Sequence, residues 1–146
     1  MGIGYVAVGN NIYDGFAVVG TTALENGMFV DLTYASGVFT AAAGADYFVC
    51  NEDDEAEPGA TSSKDITLSP GTYLKLKTLL PGEHFVTSKA TGSLAIGGKV
   101  SVSGGGIVTG TDGKHPSEIV DIFTVDGVTC YRCRVMPIVV TAGSEG

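Results

Sequence analysis

The residues whose spacing comes closest to a chemical motif are Cys130 and Cys133, a C-x-x-C pair that in a loop could hold zinc or form a redox disulfide. They sit in a run rich in β-branched residues, which reads as a strand. Side chains three apart on a strand point to opposite faces, so the two thiols cannot grip one ion or bond to each other. There is no second C-x-x-C, and Cys50 is the third and last cysteine. An odd count argues against a secreted disulfide framework. The expectation is buried thiols and no metal or other cofactor.

Three other stretches were weighed for chemistry. Glu52, Asp53, Asp54, Glu55 and Glu57 form an acidic run. It lacks the central Gly and the closing Glu of a calcium loop, and reads as a solvated loop. Gly92 to Val100 has the Gly-Lys of a phosphate loop, but Ser93 and Val100 stand at two of its defining positions and the segment leads into a strand. His84 and His115 are the only histidines. Neither stands in a recognisable pattern with Ser, Cys or carboxylate; His115-Pro116 reads as loop and His84 as surface. No candidate catalytic residue emerges, and the chain is not expected to be an enzyme.

The elements around these residues are strands. Glu118 to Met136 is the clearest hairpin, because Asp126-Gly127 favours a two-residue type I′ turn. That turn predicts Val125 opposite Val128, Phe123 opposite Cys130, Asp121 opposite Arg132 and Ile119 opposite Arg134. On the other face it predicts Thr124 with Thr129, Ile122 with Tyr131 and Val120 with Cys133. Asp121 and Arg132 would then form a cross-strand ion pair. Both faces carry large apolar groups and should both be covered.

Further strand signals run along the chain. They include Phe16 to Val19, Met28 to Leu32, Val38 to Thr40, Tyr47 to Cys50 and Phe85 to Thr87. Leu74 and Leu76 alternate with Lys75 and Lys77, and Val100 and Val102 alternate with polar neighbours. Ile107 to Thr109 and Ile138 to Thr141 complete the series. Thr22 to Glu25 fits a capping box, but Gly27 limits it to one helical turn. The fold class is all-β, a small antiparallel β-barrel or β-sandwich with an extended N-terminal segment. Residues 1–14, broken by Gly2, Gly4 and Gly9, read as an arm or edge strand. Residues 15–146 read as a single β domain, with room for two subdomains divided near 60–70.

Charge narrows the partners. The chain carries a formal −8, and residues 1–73 hold ten acids and one base, against six acids and seven bases in 74–146. An acidic half repels phosphate backbones and anionic lipid, so neither nucleic acid nor a membrane is expected. No basic, apolar leader opens the chain and no apolar run approaches a membrane span, so synthesis in a cytoplasm is expected.

Several runs recur in a familiar order. Leu24-Glu25-Asn26-Gly27-Met28-Phe29-Val30 precedes Val38-Phe39-Thr40 and Tyr47 to Glu52. Leu74-Lys75-Leu76-Lys77 is followed by Pro81-Gly82-Glu83-His84-Phe85-Val86-Thr87-Ser88, then by Ile96-Gly97-Gly98-Lys99-Val100-Ser101-Val102. This order resembles the small head decoration (capsid cement) proteins of tailed bacteriophages, over roughly residues 20–135. The motifs are short and turn-dominated, and Met1 to Asp14 has no counterpart in the family pattern.

The resemblance implies a structural virion protein on the capsid exterior, bound to the major capsid protein and stabilising the shell. Self-association into a trimer or other small oligomer on the shell would accompany it. Two elements would make the contact: Ile3, Tyr5, Val6 and Val8 as apolar anchors on an arm, and Glu52, Asp53, Asp54 and Glu55 as a steering loop. The competing reading is a soluble ligand-binding β-barrel for peptide or carbohydrate. That reading needs clustered exposed aromatics; Tyr and Phe look scattered along the chain, and Trp is absent.

Overall fold

The computed structural model describes residues 2–8, 12–51 and 67–137. Its elements are all strands: β1 (Gly4–Val8), β2 (Ile12–Val19), β3 (Phe29–Ala35), β4 (Val38–Ala43), β5 (Tyr47–Val49), β6 (Tyr73–Lys77), β7 (His84–Thr87), β8 (Ala90–Thr91), β9 (Lys99–Ser103), β10 (Gly106–Thr109), β11 (Lys114–Val125) and β12 (Val128–Val135). Five of them close into a barrel, β2-β4-β3-β5-β6. The other seven form a sheet in the order β1-β7-β12-β11-β9-β10-β8. The pairings are antiparallel except β2 with β4 and β8 with β10. The expected helical turn at Thr22 to Glu25 is absent, and Leu24 instead bridges to Leu68.

The step from the barrel strand β6 to the sheet strand β7 lies at 78–83. β1 belongs to the sheet, and Asp14 lies inside β2 rather than closing a separate arm. Ile138 to Thr141 lies outside the described residues.

Alternation on β3 and β5 joins the two units. Val30 and Val49 point into the barrel with Ala17, Val19, Leu74 and Leu76. Phe29 and Phe48 point the other way, into a core shared with Phe85, Ile107, Ile119 and Cys133 of the sheet. Strands buried on both faces need apolar residues at successive positions, which Phe29-Val30 and Phe48-Val49 supply.

The hairpin of β11 and β12 has the predicted register from Val125 opposite Val128 to Asp121 opposite Arg132. Asp126 and Gly127 have φ of 49° and 80°, as a type I′ turn requires. Beyond Asp121 the expectation fails. A bulge at Val120 puts Ile119 opposite Cys133 and Glu118 opposite Arg134. The extra residue moves Ile119 to the face of Ile122 and Tyr131, where it is fully buried. Burying such a side chain is worth about 1.5–3 kcal/mol, enough to favour the irregular ladder. The opposite face carries only a small cluster of Ile3, Val86 and Cys130, with Phe123, Val125 and Val128 half-buried. Both faces of the hairpin are thus covered in part: Ile119 and Cys133 are fully buried on one and Cys130 on the other, while Ile122, Tyr131 and Phe123 are half-buried.

The expected ion pair does not form, although Asp121 and Arg132 are opposite each other. The Asp121 carboxylate accepts from the Ile122 amide at 2.9 Å, and Arg132 Nε donates to His84 Nδ1 at 3.0 Å. His84 is therefore a half-buried partner, not a free surface residue; burial and the charges of Arg132 and Arg134 hold its pKa below the ordinary value. His115 lies in β11 rather than in a loop. It has φ of 52° at a second bulge, which keeps Pro116, with no N–H, out of the ladder to β9.

Lys77 departs from its alternation. Alternation with Leu74 and Leu76 puts it on the side of Lys75, yet it is fully buried. It lies opposite Phe48 and shares its face toward the sheet. Its Nζ contacts Glu83 Oε1 at 2.5 Å and donates to the Thr78 carbonyl at 2.6 Å. The same carboxylate oxygen accepts from the Leu80 amide at 2.8 Å, so one carboxylate shapes the whole crossing at 78–83.

Removing the carboxylate strands a buried ammonium, which costs several kcal/mol, while removing the lysine leaves a carboxylate whose side chain is already 14% exposed. Glu83→Ala is therefore expected to lower stability by about 3 kcal/mol and Lys77→Met by clearly less. Urea unfolding midpoints of the two variants check the order.

Candidate functional site

The residues expected to bind a partner fall into three groups. Ile3 is buried at 2% exposure beside Val86 and Cys130, and Val6 packs against the main core. Both pack into the protein's own fold, Ile3 fully buried and Val6 half-buried. The cause is close packing. A Cβ on Gly4 would overlap the Gly27 backbone, so the glycines that suggested a loose arm let β1 lie flush on the barrel. Ile3 is tied to Ser88 by its amide and its carbonyl. Tyr5 alone of the described anchors is exposed. Val8 ends β1, and Glu52, Asp53, Asp54 and Glu55 lie outside the described residues.

The cysteines follow the opposite-face argument. Cys133 lies in the main core and Cys130 in the small cluster on the other side of the sheet. All three cysteines are buried, and no disulfide joins Cys130 to Cys133. Burial pushes the Cys133 thiol up to about 12 and raises that of Cys130, which suppresses the reactive thiolate. Among the described residues no three His, Cys, Asp or Glu side chains gather as a metal site. Gly92 to Gly98 leads into β9, as its rejection as a phosphate loop anticipated.

The feature that sequence reading missed is an aromatic face at one end of the barrel. β3 and β4 form a hairpin through Ser36 and Gly37, with φ of 54° and 84°. The pairing places Tyr34 opposite Phe39. Tyr34 follows Val30 and Leu32 on the inward-facing side of β3, and Phe39 precedes Ala41 on that side of β4. The hairpin outruns the barrel, so this inner face emerges into solvent. Val30 is buried, Leu32 half-buried and Tyr34 63% exposed.

The rings touch one another. Tyr34 and Phe39 have centroids 4.9 Å apart, Phe39 and Phe16 5.7 Å, and Phe16 and Tyr47 6.1 Å. Edge-to-face and tilted contacts of this kind hold the surface in one shape. Thr33 and Thr40 point to the opposite side, so the face is apolar. The pair Tyr34–Phe39 was legible from Ser36-Gly37 as a two-residue turn. Phe16 and Tyr47 join it only through barrel closure, which no local signal announces.

A carboxylate organises the base of the hairpin. Asp31 Oδ1 accepts the Ala45 amide at 2.9 Å and the Asp46 amide at 3.0 Å. A Cβ on Gly44 would overlap that carboxyl, so only glycine admits it. Lys114 of the sheet pairs with Asp46 alongside. The amide of Ala45, then that of Asp46 and the charge of Lys114, hold the Asp31 pKa below its ordinary value.

Two outcomes are expected. A thiol reagent should find almost no reactive cysteine in the native protein and three after denaturation, as read by absorbance. Fast reaction of native protein at Cys133 would contradict its burial. For Asp31, a depressed pKa contributes stability that is present above the unfolded value of about 3.9 and is lost as pH falls through the folded value. Asp31→Asn should therefore destabilise near pH 7 and show a smaller loss on acidification below about pH 4 than the parent, measured by urea midpoints. Compared with known protein families, with curated proteins and with solved structures, the chain matches none.

Proposed function

We propose that this chain is a structural accessory protein that seats on the outside of an assembled phage capsid and stabilises it. The observation that carries the reading is the apolar aromatic face of Phe16, Tyr34, Phe39 and Tyr47 on a projecting hairpin. A contiguous exposed patch of rings on a small protein marks an interaction surface. Aromatic anchors dominate the energetics of protein contacts, because they bury large area at little entropic cost. The order of turn motifs that resembles head decoration proteins supplies the partner, the major capsid protein. Tyr5, exposed on the edge strand β1, adds a second contact point.

The clustered rings also meet the requirement of a peptide- or carbohydrate-binding module. A sugar site sets hydrogen-bonding side chains around its rings, and the threonines here face away. The protein-contact reading is therefore preferred.

The test mixes purified protein with undecorated shells assembled from the capsid protein of its own genome. Wild-type protein is expected to pellet with the shells. The double variant Tyr34→Ala/Phe39→Ala should lose about tenfold or more in affinity, with an unchanged circular dichroism spectrum. Failure of the wild type to pellet rejects the reading. Equal binding by the double variant moves the contact away from this face. Sedimentation of the free protein reads its self-association, expected as a small oligomer.

A further inference from the structure

β3 is paired unequally along its two edges. β4 follows one edge from Val30 to Ala35, while β5 follows the other only at Phe29 and Val30. The Gly44 amide donates to the Phe29 carbonyl on the β4 side, and the Asp46 amide to the Val30 carbonyl on the β5 side. Main-chain groups of one residue point to one edge, and successive residues alternate. The N–H and C=O of Leu32 and Tyr34 therefore point to the edge that β5 has left. Among the described residues no strand or backbone hydrogen bond meets them there. Asp31 contributes to this, since its carboxylate takes the Ala45 amide that would have met Leu32 next and shares the Asp46 amide with the Val30 carbonyl.

We propose that this open edge is a strand-accepting site, and that an extended segment of a protein partner adds beside Leu32–Tyr34. The proposal rests on the capsid reading in taking that partner to be a shell subunit. Two pairs of donor and acceptor, one strand repeat of about 6.8 Å apart, match extended polypeptide backbone and no lipid headgroup or sugar. Side chains at alternate positions of the added strand would meet Leu32 and Tyr34, whose ring rests on Phe39, so those positions are apolar. The exposed Asp31 carboxylate, in a half of the chain that holds ten acids and one base, favours a basic residue on the segment's flank. Main-chain pairing supplies affinity, and the aromatic face supplies selectivity.

The experiment follows amide hydrogen exchange at Leu32 and Tyr34, first in free protein and then in protein bound to undecorated shells. Exchange at both amides should slow about tenfold or more on binding. A comparison of Tyr34→Ala with Tyr34→Pro isolates the backbone. Both remove the ring, only proline removes the outward N–H, and an edge position tolerates proline. The proline variant should bind about tenfold more weakly than the alanine variant. Protein that binds shells with unchanged exchange at Leu32 and Tyr34 overturns the strand site and leaves the capsid reading standing. If Tyr34→Pro does not fold, the exchange measurement decides. If the wild type binds no shell, the capsid reading fails, and titration with the synthetic peptide Lys-Val-Thr-Val-Thr-Val-Lys decides the edge on its own. Saturable amide shifts at Leu32 and Tyr34 support it, and their absence at millimolar peptide overturns it.

Discussion

Three phenylalanine rings hold the molecule together. Phe29 and Phe48 lie 5.0 Å apart on β3 and β5 of the barrel, and Phe85 on β7 lies 5.5 and 5.4 Å from them. All three are fully buried. A five-stranded barrel and an open sheet would each leave one apolar side in water. The triangle makes the outer face of the barrel and the inner face of the sheet one core. Other features take their places around this contact. β3 and β5 must be apolar on both faces, Lys77 is carried into the interface by its pairing with Phe48, and Glu83 must come with it. An isolated ammonium there would be untenable.

Local rules made much of the architecture legible. Asp126-Gly127 sets the turn of the final hairpin, and the pairing follows from it as far as Asp121. The bulge at Val120 carries no such mark, because neither Gly nor Pro stands there. It exists because Ile119 is worth more in the core than a regular ladder is, and that competition is tertiary. Lys77 shows the same limit. Period-two alternation separates the two faces of a strand, but does not say that both are covered. The N-terminal glycines were read as looseness when they are closeness. Gly4 and Gly27 permit a backbone-to-backbone approach that any side chain would prevent. At the aromatic face, Tyr34 and Phe39 were one turn apart in sequence and readable. Phe16 reaches them through the parallel pairing of β2 and β4, a contact of high sequence separation.

The sheet and the barrel handle their exposed edges differently. β1 is an edge strand of the sheet, and it is short and tied through the preceding Ile3 to Ser88. The other edge, β8, is two residues long. Short edges of this kind discourage adventitious pairing. A closed barrel should have no edge at all. This one does, because β5 has three residues and β3 has seven. Among the described residues, the surplus length of β3 meets no strand on that side.

That surplus would be a hazard if it were merely apolar, since a flat open edge recruits any strand it meets. Asp31 limits the hazard. Its carboxylate sits where the open stretch begins, exposed and held ionised by the amides of Ala45 and Asp46. A strand that approaches with an acidic side chain at that point would gain the main-chain bonds but meet a like charge. One that brings a basic residue would gain those bonds and meet an opposite charge. The aromatic face adds a second condition, because rings of Tyr34 and Phe39 reward only side chains on the matching side of the strand. A one-residue slip presents the wrong face to them. On the proposal of a strand-accepting edge, charge at one end and rings along the length would select both the partner and its register, which an open edge alone would not do.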